Sequence, residues 1–369
     1  MTRQVVLALV VLTGISTLLF SQTRQAATFS PRQPKVGDKI AVVYDGGART
    51  AALVGAKAVT LNALLIRDES TPNLVEIPLK KTGKTWKGSF TLDDDRAQIV
   101  LFKFVSGEMT DDNNGDCWDV LVYGKDGNPV KGAWMWRGQM VMYSGGYGFR
   151  KTKDMDAALA DLHKETALYP DNAMAYPIIW NAELRATPGE ETKTKIKQEA
   201  RDTYEHLKDK SNSAGPILSI MERLGQNELA DSLRKGLIAA DPKGKVAEAT
   251  RLNAVYAEKD PARKDELLKG YLADFPKSAK ETEDLQNRVC QNKVYAALQA
   301  MEYDKAAAAL ETLSPPNGDL YNSLAWAIIE KGEKGPELDK ATGWAKRGIE
   351  VMKEDKTPKP SYLSESDWK

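Results

Sequence analysis

Leu168-Tyr169-Pro170-Asp171, Ala240-Asp241-Pro242, Asp274-Phe275-Pro276 and Leu313-Ser314-Pro315 punctuate the second half of the chain. A proline disfavours the helical conformation of the residue before it, so each motif reads as a helix stop. The step from Pro242 to Pro276 is 34 residues, the length of one helix-pair repeat. From Pro170 to Pro242 is 72, about two repeats, and from Pro276 to Pro315 is 39. Around these stops the apolar residues recur at helical spacing. Met155, Leu159 and Leu162 follow Asp154, a candidate N-cap. Further helices are expected over 191–208, 215–224, 228–240, 245–258, 263–275, 282–300, 303–313, 320–330 and 338–352. Alanines such as Ala158, Ala306 and Ala341 let helices approach closely. Gly225, Gly332 and Gly335 mark helix ends.

Upstream the period is near two. Ile40, Val42 and Tyr44 alternate with Ala41 and Val43, Trp86, Gly88 and Phe90 with Lys87 and Ser89, and Trp118, Val120 and Val122 with Asp119 and Leu121. Each run has one apolar face, as a strand over a core does. Lys81-Thr82-Gly83-Lys84 and Lys125-Asp126-Gly127-Asn128-Pro129 are turn signals between such runs.

The chain has 369 residues, with 52 basic and 52 acidic side chains. A net charge of zero gives no electrostatic reason to expect nucleic acid. Arg3 followed by the apolar stretch Val5 to Phe20 reads as an export signal over residues 1–21. The run is shorter than the roughly 20 residues a membrane span needs, so no stable span is expected after cleavage. An uncleaved N-terminal membrane anchor is the alternative. Cys117 and Cys290 are the only cysteines and form no C-x-x-C pair; both are expected as lone, partly buried thiols. Asp116 and Asp119 beside Cys117 disfavour a thiolate there.

Few residues suggest chemistry. The run Asp111 to Asp119 is rich in oxygen ligands, but counted from Asp111 its sixth position is Asp116 and its twelfth Val122. An EF-hand loop needs Gly and Glu there, so an Asx-rich turn entering the Trp118 strand is expected. His163 and His206 stand on polar helix surface without metal-ligand spacing. No nucleophile elbow, Walker loop or dinucleotide fingerprint occurs. Gly145-Gly146-Tyr147-Gly148 reads as a hinge. No cofactor is expected, and the chain reads as no enzyme.

Aromatics are the remaining candidates. Trp86 and Trp118 lie on apolar strand faces and read as core. Trp134 and Trp136 flank Met135 and are candidates for carbohydrate or partner binding, as is Trp344 on the last helix. An apolar patch around Trp344 is expected, covered by the tail with Tyr362, Leu363 and Trp368 or by a partner. Tyr176, Trp180, Tyr204, Tyr256, Tyr295, Tyr321 and Trp326 are expected either in a binding groove or between helices.

Two resemblances follow. Trp86-Lys87-Gly88-Ser89-Phe90, Phe102-Lys103-Phe104 and Asp112-Asn113-Asn114-Gly115-Asp116-Cys117-Trp118 resemble an immunoglobulin-like module of the starch-binding type. Asn322-Ser323-Leu324-Ala325-Trp326 and Lys359-Pro360-Ser361-Tyr362-Leu363 resemble the front part of exported bacterial thioredoxin-like proteins, in which a β-sandwich and tetratricopeptide-like repeats precede a thioredoxin domain. The thioredoxin domain itself has no counterpart here.

The expected architecture is therefore multidomain β plus α. It comprises a signal peptide (1–21), a linker (22–34), an immunoglobulin-like β-sandwich (35–143), a hinge (144–150), a tetratricopeptide-like α-helical solenoid (151–352) and a tail (353–369). The expected function is that of an exported, periplasmic or secreted scaffold holding a protein or peptide partner in the cell envelope on its repeats. The alternatives are α-glucan or other polysaccharide binding by the sandwich, and a truncated or split thiol-disulfide oxidoreductase.

Overall fold

The computed structural model describes residues 26–67, 70–145, 147–208, 214–332, 334–354 and 359–365. The signal segment, residues 22–25 and Trp368 lie outside the described residues. The chain divides into two compact units, Met1–Asn128 with Gly146–Lys151 and Pro129–Gly145 with Thr152–Lys369.

The first unit is built of antiparallel strands: β1 (Ala27–Ser30), β2 (Lys39–Asp45), β3 (Thr60–Arg67), β4 (Ser70–Pro78), β5 (Lys80–Thr82), β6 (Thr85–Thr91), β7 (Ala97–Ser106), β8 (Met109–Asp111) and β9 (Trp118–Leu121). One sheet runs β1-β2-β6-β5; the other runs β4-β3-β7, with β8 and β9 both pairing with β7. The alternation seen in the sequence sets which face turns inward. Ile40 opposes Phe90 and Tyr44 opposes Trp86, and all four are buried. Phe29 of the first sheet stacks on Phe102 of the second at 4.1 Å, and Tyr44 meets Phe104 at 4.4 Å. The two sheets thus share one aromatic core.

Two expectations are corrected here. Residues 27–30, expected in a linker, form β1, because Ala27 and Phe29 point inward while Thr28 and Ser30 are exposed. The glycine-bearing hinge also behaves otherwise. Phe149 is buried, Lys103 lies over its ring at 4.6 Å, and Arg150 donates to the Asp116 carbonyl at 2.8 Å. Residues 147–151 are a strap held on the β unit.

The second unit is helical: α1 (Ala133–Tyr143), α2 (Met155–Leu168), α3 (Ala175–Ala186), α4 (Glu190–Leu207), α5 (Ala214–Arg223), α6 (Asn227–Ala240), α7 (Lys245–Ala257), α8 (Pro261–Asp274), α9 (Ala279–Gln299), α10 (Tyr303–Leu310), α11 (Gly318–Glu330) and α12 (Pro336–Glu354). Helices pair in sequence, α1 with α2 through α11 with α12. Four helices stop before a proline with one backbone conformation. Tyr169, Thr187, Asp241 and Phe275 have φ between −127° and −139° and ψ between 73° and 86°, and each N–H reaches the carbonyl four residues back. Pro315 differs, since α10 already ends at Leu310.

A second regularity lies in the second helix of each pair. Ala158, Ala200, Ala230, Ala306 and Ala341 are fully or almost fully buried where that helix crosses its partner. The fourth pair has Lys264 in this slot, also buried. In the first pair the close approach is mutual. A Cβ on Gly138 would lie 2.9 Å from the Ala158 carbonyl oxygen and 2.9 Å from Leu162 Cγ. Gly138→Ala is expected to cost about 2 kcal/mol, because backbone cannot yield as a side chain does. Chemical denaturation followed by far-UV circular dichroism measures it, and an unchanged midpoint would remove the tight crossing.

Helix α1 is a further correction, since residues up to 143 were expected in the β-sandwich. The stretch 133–143 is apolar on both faces, and in so short a run periodicity does not separate helix from strand.

Candidate functional site

The first helices of successive pairs touch one another: α1 with α3, α3 with α5, α5 with α7, α7 with α9. They form one face of the helical unit. Between α5 and α7 this face opens into a groove of about 260 Å³, lined by Gly215, Ser219 and Glu222 on one side and Val246, Ala249 and Asn253 on the other. Glu222 is ion-paired with Arg234 of α6. On α9 and α11 large apolar side chains stand out instead: Tyr295 is 50% exposed, Trp326 54% and Ile329 48%.

A second groove, of about 540 Å³, lies between α8, α9 and the segment after α10. Leu268, Leu272, Val289 and Cys290 line it, and an Asp265–Lys293 ion pair borders it. It exists because α10 is a short helix of 8 residues and the chain then turns away. Asn287 fixes that turn: its Nδ2 donates to the Ser314 carbonyl at 2.6 Å, and the Ser314 N–H donates to Asn287 Oδ1 at 3.3 Å.

The candidate tryptophans lie on helices and do not come together. Trp134 and Trp136 are both on α1 of the helical unit, although the β-sandwich was expected to extend over them to residue 143. Trp134 is half-buried, with Lys164 Nζ 4.3 Å and Arg137 Cζ 5.4 Å from its ring centre. Asp161, itself buried, holds both cations, at 3.0 Å and 3.5 Å. That ring is engaged by its own unit. Trp136 packs on the apolar core of the first pairs. Trp344 is half-buried on the terminal core, while Leu338, Ile349 and Met352 of the same helix are exposed. Trp180, Tyr204 and Tyr321 are inter-helix residues: Trp180 Nε1 donates to Glu199 at 3.0 Å and Tyr321 Oη to Glu311 at 2.6 Å. Tyr295 and Trp326 are the two of that aromatic set that stand exposed.

Catalytic chemistry finds little to work with among the described residues. Both thiols are buried. Burial first, and the Asp119 carboxylate after it, pushes the Cys117 thiol up to about 12. The Cys290 thiol lies 2.9 Å from the Ala309 carbonyl. The Asx-rich run forms the turn between β8 and β9, with Asn113 and Asn114 at φ 56° and 58°, values Asn tolerates better than most residues. Its carboxylates are already occupied. Asp111 accepts from Tyr44 Oη at 2.6 Å and from the Ala52 N–H at 2.8 Å. Burial works against the charged form of Asp112, but Lys151 and the Gly115 N–H outweigh it and hold its carboxyl below the usual range. Asp116 pairs with Arg150 at 3.1 Å. His163 and His206 are exposed on α2 and α4. No described helix is long and apolar enough to cross a membrane.

No family model matches the chain, and no curated protein matches it. Among solved structures it is similar to the crystal structure of MamA, with 14% identity over 55% of this chain and 90% of that one, at a TM-score of 0.20. It is also similar to the P58(IPK) tetratricopeptide-repeat domain, with 13% identity over 61% and 67%, at a TM-score of 0.20. A polysaccharide lyase aligns at 11% identity over 88% and 47%, at a TM-score of 0.18. Overlaps this low carry no argument, so the reading rests on the helix pairs and the faces they leave open.

Proposed function

We propose that this protein is an exported, non-enzymatic scaffold. Its helical unit, a solenoid of tetratricopeptide type, holds a segment of a protein partner on the face made by the first helices. The β unit is an immunoglobulin-like sandwich, a reading supported by the order β1-β2-β6-β5 facing β4-β3-β7, with β8 and β9 both on the outer edge of β7. The observation that carries the function is the exposure of Tyr295, Trp326 and Ile329 on two first helices, while aromatics such as Trp180 and Tyr321 are buried between helices. Large exposed apolar side chains cost hydration, and grouped on one face they mark an interaction surface. Sugar binding by the sheets has less support, since Trp86 and Trp118 are both buried in the β unit.

Affinity capture from a cell-envelope fraction tests the reading, with the wild-type chain and Trp326→Ala side by side. Trp326→Ala is expected to lose the captured protein while its melting curve stays put, because the ring contributes little to the core. Identical recovery by both chains, or no partner with either, would sink the proposal. Export is a separate matter. It rests on Arg3 and the Val5 to Phe20 run, and a reporter fused after residue 30 that stays in the cytoplasm would remove it.

A further inference from the structure

The first-helix face has a chemical character beyond being exposed. Three of its helices end in a residue with positive φ: Gly225 after α5 at 78°, Met301 after α9 at 59° and Gly332 after α11 at 70°. Counting six residues back from each reaches Ser219, Tyr295 and Trp326, so these side chains share one register. Ser219 lines the groove opposite Asn253, which puts Asn253 of α7 in the same row. Residues four before and three after lie on the same side of each helix. On α9 these are Gln291 and Leu298; on α11 they are Asn322 and Ile329. Glu222 is the charged member of the row on α5, and Arg234 neutralises it. In a chain of which 28% is charged, a strip of amide, aliphatic and aromatic groups crossing these helices is selective. Charges flank it, at Arg223, Arg288, Asp319 and Glu330.

We propose, building on the scaffold reading above, that this strip selects an extended, uncharged peptide segment whose apolar side chains enter at the α9–α11 end. A charged segment laid along its middle would lose hydration and find counter-charges only at the flanks. An uncharged one loses little. Asn and Gln side chains carry a donor and an acceptor each, matching the N–H and C=O of a peptide backbone. Packed helices stand about 8–10 Å apart, and an extended chain rises about 3.3 Å per residue. Every third residue of the segment therefore meets the next helix. Leu298 and Ile329 beside the aromatic rings offer hydrocarbon to an apolar side chain and nothing to sugar hydroxyls, which favours peptide over glycan.

Fluorescence-polarisation binding of labelled decapeptides to the full chain tests this. One set is uncharged with an apolar residue at every third position; matched sets carry Lys or Asp between those positions. The uncharged set is expected to bind at least tenfold more tightly, with affinity nearly independent of salt up to about 0.5 M. Asn253→Asp and Trp326→Ala are each expected to weaken it about tenfold. Preference for a charged set, or competition by a neutral glucan oligosaccharide rather than by unlabelled peptide, would overturn the inference. The scaffold reading fails differently. If envelope capture depends on Trp326 but the captured segment is charged, only the selectivity is wrong; if no peptide binds and capture ignores Trp326, both are.

Discussion

Glu165→Ala is expected to destabilise the helical unit by about 3 kcal/mol. Glu165 sits on α2 and is fully buried. Its Oε1 accepts from the Gly132 N–H at 2.7 Å and from Asn172 Nδ2 at 2.7 Å, and its Oε2 from the Met135 N–H at 3.3 Å. Gly132 is the N-cap of α1 and has no side chain to satisfy that helix start. The cap is supplied by the partner helix, and the α1 dipole favours the negative charge placed there. Alanine would leave three buried donors without acceptors, each worth about 1–3 kcal/mol, partly relieved by water entering the gap. Glu165→Gln keeps the shape but aims an NH2 group at one of these donors, so it should recover only part of the loss. Urea denaturation read by far-UV circular dichroism measures both, with exposed Glu205→Ala as the control. Equal midpoints for Glu165→Ala and the control would mean that the carboxylate does not cap α1.

Much of the helical half was legible because its punctuation is local. A proline acts on the residue before it, so Tyr169, Asp241 and Phe275 could be read as helix ends from dipeptides alone. Asp154 as an N-cap was legible for the same reason, and its side chain does accept from the Ala157 N–H at 2.9 Å. What was illegible depends on distant partners. Helix α1 is apolar apart from Arg137 and Gln139, with no clean helical stripe, and α2, with Glu165 and the tight Gly138 crossing, fixes it as a helix. Helix α3 carries Pro177 in its first turn, where proline is tolerated but reads as a break. The candidate site fared likewise. Tyr295 and Trp326 resemble Trp180 and Tyr321 in the sequence, and the register of each helix against its neighbours decides which are buried.

The buried slot on the second helices yields the last expected result, in two mirrored substitutions. Ala230→Lys should cost about 3 kcal/mol, since Ala230 is fully buried and a cation placed there would have to leave water. Helix α5, beside it, ends at Gly225, and the Met221 carbonyl of its last turn is already taken by the Leu224 and Gln226 N–H groups. The fourth pair differs. Helix α7 runs into Glu258 in an extended conformation with no left-handed cap, and Lys264 Nζ reaches the Tyr256 carbonyl at 3.4 Å. Lysine is tolerated there because a helix C-terminus faces it. Tolerance is not stabilisation. Burial, and Lys293 after it, hold the Lys264 amine below the usual lysine range, against the pull of Glu258 and Asp265. Lys264→Met should therefore gain about 1 kcal/mol at neutral pH. The sign of the pH dependence follows from the direction of that shift. Between the folded-state pKa and the unfolded value near 10.4, the unfolded chain binds more protons, so the wild type gains stability as pH rises through that window. The methionine variant has no such group, and its advantage should shrink toward pH 10. Paired denaturation curves at neutral and alkaline pH decide it: an advantage that grows with pH would mean the lysine is stabilised as a cation, and the slot would then be a designed ion site rather than a tolerated exception.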